Sequence, residues 1–145
     1  MMILVMINIK TLLLIAVVAI IAVSCAKILG KRTNQPLAIN SYATMGVEEF
    51  QTFIANPGVQ LIDVRAQDEF AEGHIAEAML IDVNDTSFVD KAMAALDASR
   101  PVAVYCRSGR RSARAASLLA ARGLNVTNLA GGVIAWQDAG KSLVR

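Results

Sequence analysis

Cys106 lies directly after an apolar run and directly before a loop rich in arginine and glycine. The loop Arg107-Ser108-Gly109-Arg110-Arg111 can curl its backbone N–H groups toward one point, because Gly109 can adopt a positive φ. The helix expected after this loop adds the positive end of its dipole. Cations and N–H donors favour a thiolate over a thiol, so Cys106 is predicted to have a lowered pKa and to act as a nucleophile. The alternative is a buried, unreactive cysteine.

Three further residues are candidates for roles near this cysteine. Asp63 and Arg65 end another predicted strand, where α/β proteins place side chains that face a ligand. We interpret them as a supporting pair that organises the site through hydrogen bonds without contacting the substrate. His74 is the only histidine of the chain, and its place in a Gly-His-Ile turn favours a structural role over that of a general base. The sequence lacks a glycine-rich phosphate motif and metal-ligand spacing, so neither a metal nor an organic cofactor is expected.

The elements that position these residues follow from alternating apolar runs and amphipathic stretches. Short buried strands are predicted at residues 59–64, 79–83, 101–105 and 126–129. Helices are predicted at residues 46–55, 67–71, 86–96 and 110–122, the last ending with Gly123 at C′, and a final helix near Val133. This alternation indicates a parallel sheet covered on both faces, with ligands bound at the carboxyl ends of the strands.

Charge is distributed unevenly along the chain. Its 145 residues carry a formal net charge of +2, and Lys10 and Lys27 are the only charged side chains among the first thirty. Beyond Arg100, basic side chains face a single acidic one, Asp138. This asymmetry favours an anionic ligand near the C-terminal half of the chain. Nucleic acid is not expected, because it usually requires a more basic chain with more exposed aromatic side chains.

The high hydrophobic fraction of 55% has a local source in residues 1–30. The uncharged stretch Thr11–Ala26 would be about 24 Å long as a helix, which is short for a bilayer core of about 30 Å. The apolar run 12–23 suits the h-region of a secretory signal, and Ala22-Val23-Ser24-Cys25 resembles a bacterial lipobox with Cys25 as the lipidated residue. Residues 1–30 are therefore predicted to be a signal peptide, a lipoprotein signal or a membrane anchor.

Two cellular locations follow from this N-terminal segment. Export places the domain in the cell envelope, at the periplasmic face as a lipoprotein or as a secreted protein. An uncleaved anchor would instead hold the domain in the cytoplasm at the inner membrane, because Lys27, Lys31 and Arg32 outnumber the positive charges before the apolar run. Residues 31–40 are interpreted as a linker and residues 41–145 as one folded domain.

Several separated motifs of this domain together resemble a single-domain rhodanese. They are Leu61-Ile62-Asp63-Val64-Arg65, Glu69-Phe70, Gly73-His74-Ile75, Val104 to Ser112, Gly131-Gly132-Val133 and Trp136. The resemblance implies a three-layer α/β fold with a central, mostly parallel five-stranded sheet and helices on both faces. It also implies sulfur transfer, with a persulfide on Cys106 held in a cradle formed by residues 107–111. Arg111 matches the position where the family keeps a basic residue beside the substrate.

The resemblance further implies the partners of the reaction. The donor would be thiosulfate or a similar small anion, and the acceptor would be cyanide in an assay and a thiol in the cell. A protein acceptor is not identified by the sequence, and the membrane would be reached only through the N-terminal segment. The chain departs from the family at Ala76-Glu77-Ala78, where Pro-Gly-Ala is common, and at Arg110, where a small or polar residue is often found.

Two other functions remain compatible with a cysteine before an anion-binding loop. Cysteine phosphatases related to this fold use a Cys-x5-Arg loop, whereas the sixth residue after Cys106 is Ser112. The shorter Cys-x4-Arg loop of this chain suits a sulfur atom better than a phosphoryl group. A binding or sensing module could keep the same cysteine and receive sulfur without turnover, and turnover relative to a Cys106→Ala control would separate these functions.

Overall fold

A computed structural model describes residues 41–145. The predicted signal or anchor segment, the linker and Cys25 lie outside the described residues. Within residues 41–145, none of the helices combines the length and the apolar character needed to cross a bilayer.

Strands and helices alternate along the described chain, as the sequence predicts. The strands are β1 (Ala43–Met45), β2 (Gln60–Asp63), β3 (Met79–Leu80), β4 (Val102–Tyr105) and β5 (Val126–Leu129). The helices are α1 (Val47–Ile54), α2 (Gln67–Glu72), α3 (Phe88–Ala95), α4 (Arg110–Ala120) and α5 (Gly132–Asp138). The strands form one sheet in the order β1-β5-β4-β2-β3, and every pair of neighbours is parallel. The predicted α/β fold with a parallel five-stranded sheet is confirmed.

The sheet separates two hydrophobic clusters, because successive side chains of a strand point to opposite faces. On β4, Val102 and Val104 join the cluster that contains the buried residues of α3 and α4. Ala103 and Tyr105 join the other cluster, which contains the buried residues of α1 and α5. Every residue of β4 is therefore buried, which explains why this strand is an uninterrupted apolar run in the sequence.

The main differences from the predicted elements lie at the two edges of the sheet. The edge strand β1 was not predicted, because it has three residues and two of them are exposed. The other edge strand, β3, ends at Leu80 instead of Val83. Beyond it, the N–H groups of Ile81 and Val83 still bond to carbonyls of Asp63 and Val64. Edge strands bury little apolar surface, so their pattern in the sequence is weak.

The predicted C-terminal signal of α4 is confirmed. Gly123 has a φ of +87°, and its N–H donates to the carbonyl of Ala120. The N–H of Leu124 donates to the carbonyl of Leu119, which completes the pair of bonds expected when a glycine occupies C′.

Candidate active site

Cys106 lies at the carboxyl end of β4, where a short loop joins the strand to α4. The N–H of Gly109 donates to Sγ of Cys106 at 3.2 Å, and the hydroxyl of Ser112 lies 3.3 Å from the same sulfur. Gly109 has a φ of +89°, which confirms the positive φ predicted for it and turns its N–H toward the sulfur. The loop therefore surrounds the sulfur with hydrogen-bond donors.

These donors determine the ionisation of the cysteine. Burial alone would raise the pKa of the Cys106 thiol, because a low-dielectric environment disfavours the thiolate. Hydrogen bonds from the Ser112 hydroxyl and from the amides of Ser112, Ser108 and Gly109 outweigh burial, so this pKa lies below its usual value. The predicted direction is confirmed. The sequence predicts a contribution from arginine charges as well as from the loop amides, whereas hydrogen bonds are the main favourable cause in the structure.

The turn at Gly131-Gly132 places the start of α5 against two carbonyl groups of the Cys106 loop. The N–H groups of Val133 and Ile134 donate to the carbonyls of Cys106 and Arg107 at 2.9 and 3.1 Å. A Cβ atom at Gly132 would lie 2.3 Å from the carbonyl oxygen of Cys106, so only glycine permits this approach. The resemblance included this Gly-Gly pair, but its contact with the loop was not predicted.

Arg111 has a carboxylate partner that was also not predicted. Its two terminal nitrogens donate to the two oxygens of Glu69, each at 2.7 Å, across 42 positions of the sequence. Because of this guanidinium, the pKa of Glu69 is lowered to about 2. Arg111 is therefore one half of an ion pair beside Cys106, and Glu69 compensates part of its positive charge.

Asp63 and Arg65 form the buried pair that the sequence suggests. Asp63 is fully buried, and the terminal nitrogen of Arg65 lies 2.6 Å from its carboxylate. The same nitrogen donates to the carbonyl of Gly73 at 2.7 Å, which connects β2 to the turn after α2. Arg65 also lies over the ring of Tyr105, at 5.8 Å from its centroid. The pair therefore fixes the strand ends beside the loop.

His74 has structural contacts. Its ring stacks on Phe70 with centroids 3.7 Å apart, and its Nδ1 lies 3.1 Å from the carbonyl oxygen of Phe70. Its backbone pairs with Val144 in an isolated antiparallel bridge. Among residues 41–145, no group of three or more histidine, cysteine or acidic side chains is arranged to hold a metal ion.

The space beside the loop is lined by charged and apolar side chains. A cavity of about 370 Å³ brings Arg65 and Arg107 together, although they belong to different strand ends. Its other lining residues are Glu69, Glu72, Gly73, Val133, Ile134, Gln137 and Leu143. Ser108 and Arg110 line a separate surface cavity together with Arg111 and Arg114. Of the predicted cradle residues, Ser108 and Gly109 act on the sulfur of Cys106 through their amides, whereas Arg107, Arg110 and Arg111 line the two cavities.

The model of the family described as the Rhodanese-like domain matches residues 46–139 of the chain. This chain belongs to the rhodanese-like domain family. It is 37% identical over 87 residues to a protein named Sulfurtransferase from Allochromatium vinosum, over 59% of this chain and 78% of the relative. It is 32% identical over 107 residues to Thiosulfate sulfurtransferase 18 of Arabidopsis thaliana, over 66% of this chain and 78% of the relative.

A solved structure gives the same result for the fold. The rhodanese-related protein from Thermoplasma volcanium superposes with a TM-score of 0.63 at 28% identity, over 71% of this chain and 98% of that chain. Together with the relatives named as sulfurtransferases, this rhodanese-like domain supports sulfurtransferase activity at the level of the family. Such an activity requires a sulfur donor and a sulfur acceptor.

Proposed function

We propose that this protein moves a sulfane sulfur from thiosulfate, or a related small anionic donor, to a thiophilic acceptor through a persulfide on Cys106. The observation that supports this proposal most directly is the pair of donors on the sulfur, the Gly109 amide and the Ser112 hydroxyl. Donors placed in this way stabilise a negative charge on sulfur, both in the attacking thiolate and in the persulfide.

The first step is attack by the Cys106 thiolate on the outer sulfur of thiosulfate. A bond forms between the two sulfur atoms, the bond between the outer sulfur and the sulfite group breaks, and sulfite leaves with the electron pair. The exposed guanidinium groups of Arg107 and Arg110 attract the anionic donor, and neither has a salt bridge or hydrogen bond to another described residue. Arg111 lies beside them, held by Glu69.

The second step returns the enzyme to its starting state. The acceptor, cyanide in an assay or a thiolate in the cell, attacks the outer sulfur of the persulfide, and Cys106 leaves as a thiolate. The same hydrogen bonds that lower the pKa of Cys106 make it a better leaving group. One set of donors therefore assists both steps.

The length of the loop favours sulfur transfer over phosphate hydrolysis. The Gly109 amide and the Ser112 hydroxyl both reach Sγ within 3.3 Å, so the donors converge on the cysteine sulfur itself. The spacing from Cys106 to Arg111 is one residue shorter than the Cys-x5-Arg loop of cysteine phosphatases, and this shorter loop favours a sulfur atom over a phosphoryl group.

We also propose that the N-terminal segment places the domain at the cell envelope, after export as a lipoprotein or a secreted protein. The proposal rests on the apolar run and on the lipobox-like sequence that ends at Cys25. Mass mapping of the mature N-terminus tests it. A mature chain that begins with a lipidated Cys25 would support it, and an intact Met1 would contradict it in favour of an uncleaved anchor.

The experiment that tests the enzymatic proposal uses a Cys25→Ser background, which leaves Cys106 as the one thiol of the chain. The protein and its Cys106→Ser variant are incubated with thiosulfate and weighed intact before and after addition of cyanide. We expect a gain of about 32 Da on the parent alone, lost with formation of thiocyanate over many turnovers. Loading without turnover would indicate a sensing module. Absence of loading in a folded protein would refute the proposal.

A further inference from the structure

Three arginines at the mouth of the Cys106 loop, Arg107, Arg110 and Arg114, are called here the arginine rim. All three side chains are exposed. They differ from the other arginines near the site, because Arg65 is paired with Asp63 and Arg111 is paired with Glu69. The guanidinium groups of the rim arginines have no hydrogen bond or salt bridge to any of residues 41–145, so their charges are available to a partner.

The position of the rim arginines indicates what kind of partner they can bind. Arg110 and Arg114 are one helical turn apart on α4, so they lie on the same face of that helix. Together with Ser108 and Arg111 they form the complete lining of a surface cavity of about 430 Å³. Cys106 itself is 1% exposed, and Ser108, which lines this cavity, belongs to the loop and acts on the sulfur through its amide.

We propose that the arginine rim docks the acidic surroundings of a cysteine on another protein, and that this cysteine accepts sulfur from Cys106. The inference rests on the proposed function and adds the chemical class of the acceptor. Complementary charge across an interface increases the rate of encounter and disfavours partners of the wrong charge. A thiosulfate ion is small enough to enter the loop without contacting Arg114 on the second turn of α4, so the extent of the rim favours a larger anionic partner.

A protein fits the rim better than a nucleic acid does. Every aromatic side chain among residues 41–145 is buried or half-buried, so none is free to stack on a base. The chemistry also requires a thiol. The acceptor thiol loses its proton to solvent, its thiolate attacks the outer sulfur of the persulfide, the S–S bond to Cys106 breaks, and Cys106 leaves as a thiolate.

The test compares two peptides of equal length, each with one central cysteine, one flanked by glutamates and the other by glutamines. The full chain with Cys25→Ser is loaded with sulfur, and the rate constant of transfer to each peptide is measured at low ionic strength. We expect transfer to the acidic peptide to be about fivefold to tenfold faster, and 0.5 M salt to abolish most of this ratio. A ratio near one in the parent protein would overturn the proposal.

Variants locate the effect on the rim. In the Arg110→Gln/Arg114→Gln double variant, the ratio of the transfer rate constants for the acidic and the glutamine peptide should fall close to one. Arg122→Gln should keep the parent ratio, because Arg122 is an exposed arginine just beyond the opposite end of α4. Using a ratio removes any general effect of a substitution on the reactivity of Cys106. A double variant that keeps the parent ratio would overturn the proposal.

A binding measurement separates this proposal from the proposed function. Fluorescence anisotropy of the acidic peptide, with its cysteine replaced by serine, reports docking on protein that carries no sulfur. A protein that fails to load sulfur but binds this peptide through Arg110 and Arg114 refutes sulfur transfer, to the docked cysteine as well, and supports only the docking of an acidic partner on the rim. A protein that loads sulfur but does not bind the peptide refutes the docking proposal alone. Tighter binding of a single-stranded oligonucleotide of equal charge would also overturn it.

Discussion

The hydroxyl of Ser112 is expected to control the fraction of Cys106 that is ionised to the thiolate. This hydroxyl has one proton and two acceptors within reach, Sγ of Cys106 at 3.3 Å and the carbonyl oxygen of Gly109 at 3.1 Å. When Cys106 is a neutral thiol, the carbonyl is the better acceptor. When Cys106 is a thiolate, the charged sulfur takes the proton. Replacing Ser112 with alanine therefore removes more stabilisation from the thiolate than from the thiol.

The size of the effect follows from the two hydrogen bonds. A bond to a charged group contributes about 1.5–3 kcal/mol, compared with about 0.5–1.5 kcal/mol for a bond between neutral groups. The difference of about 1–1.5 kcal/mol corresponds to a rise of about one unit in the pKa of Cys106. At pH values well below both pKa values, the thiolate fraction should then fall about tenfold.

The assay measures the rate of alkylation by iodoacetamide as a function of pH, in the Cys25→Ser background. The midpoint of this profile should move to higher pH by about one unit in Ser112→Ala. Ser108→Ala is the matched control, because Ser108 lies in the same loop, its side chain is exposed, and only its amide acts on the sulfur. An unchanged midpoint in Ser112→Ala, or an equal shift in Ser108→Ala, would refute this account of the thiolate.

Three further predictions follow from other contacts. Gly132→Ala should destabilise the fold by about 3 kcal/mol or more and prevent persulfide loading, because its Cβ would lie 2.3 Å from the carbonyl oxygen of Cys106. Gly140 has a similar positive φ but lies in open space, so Gly140→Ala should lower the free energy of unfolding, measured with denaturant, by only about 1 kcal/mol. Equal losses in Gly132→Ala and Gly140→Ala would contradict the clash at Gly132. Glu69→Gln should release Arg111 from its ion pair, and KM for thiosulfate should then fall about threefold to tenfold with little change in kcat. Glu72→Gln, on the same helix, should leave KM unchanged. A raised KM in Glu69→Gln would show that Glu69 positions Arg111 instead. Glu77→Gly should raise the free energy of unfolding by about 0.5–1 kcal/mol, because Glu77 has a φ of +65°, and Ala76→Gly in the same turn should lower it.

Much of the fold was predictable because its central elements are strongly patterned. The strand β4 is buried on both faces, so it is an apolar run, and α4 has small and apolar residues on one side with arginines on the other. The edge strands could not be bounded in the same way, since β1 has three residues and β3 has two, with one half-buried side chain in each, and such short segments leave no periodic signal.

Part of the candidate site was likewise predictable from the sequence, and part was not. The sequence alone predicted Cys106 as the candidate nucleophile, its loop and the positive φ of Gly109, because these properties belong to consecutive residues between one strand and one helix. Only the tertiary structure decided that Glu69 neutralises part of Arg111 and that the Gly131-Gly132 turn holds the loop carbonyls. Hydrophobic periodicity specifies which face of an element is buried, but it does not specify which distant residue meets that face. The partners of the loop come from α2 and α5, and they meet it because parallel strands bring their carboxyl ends to one edge of the sheet.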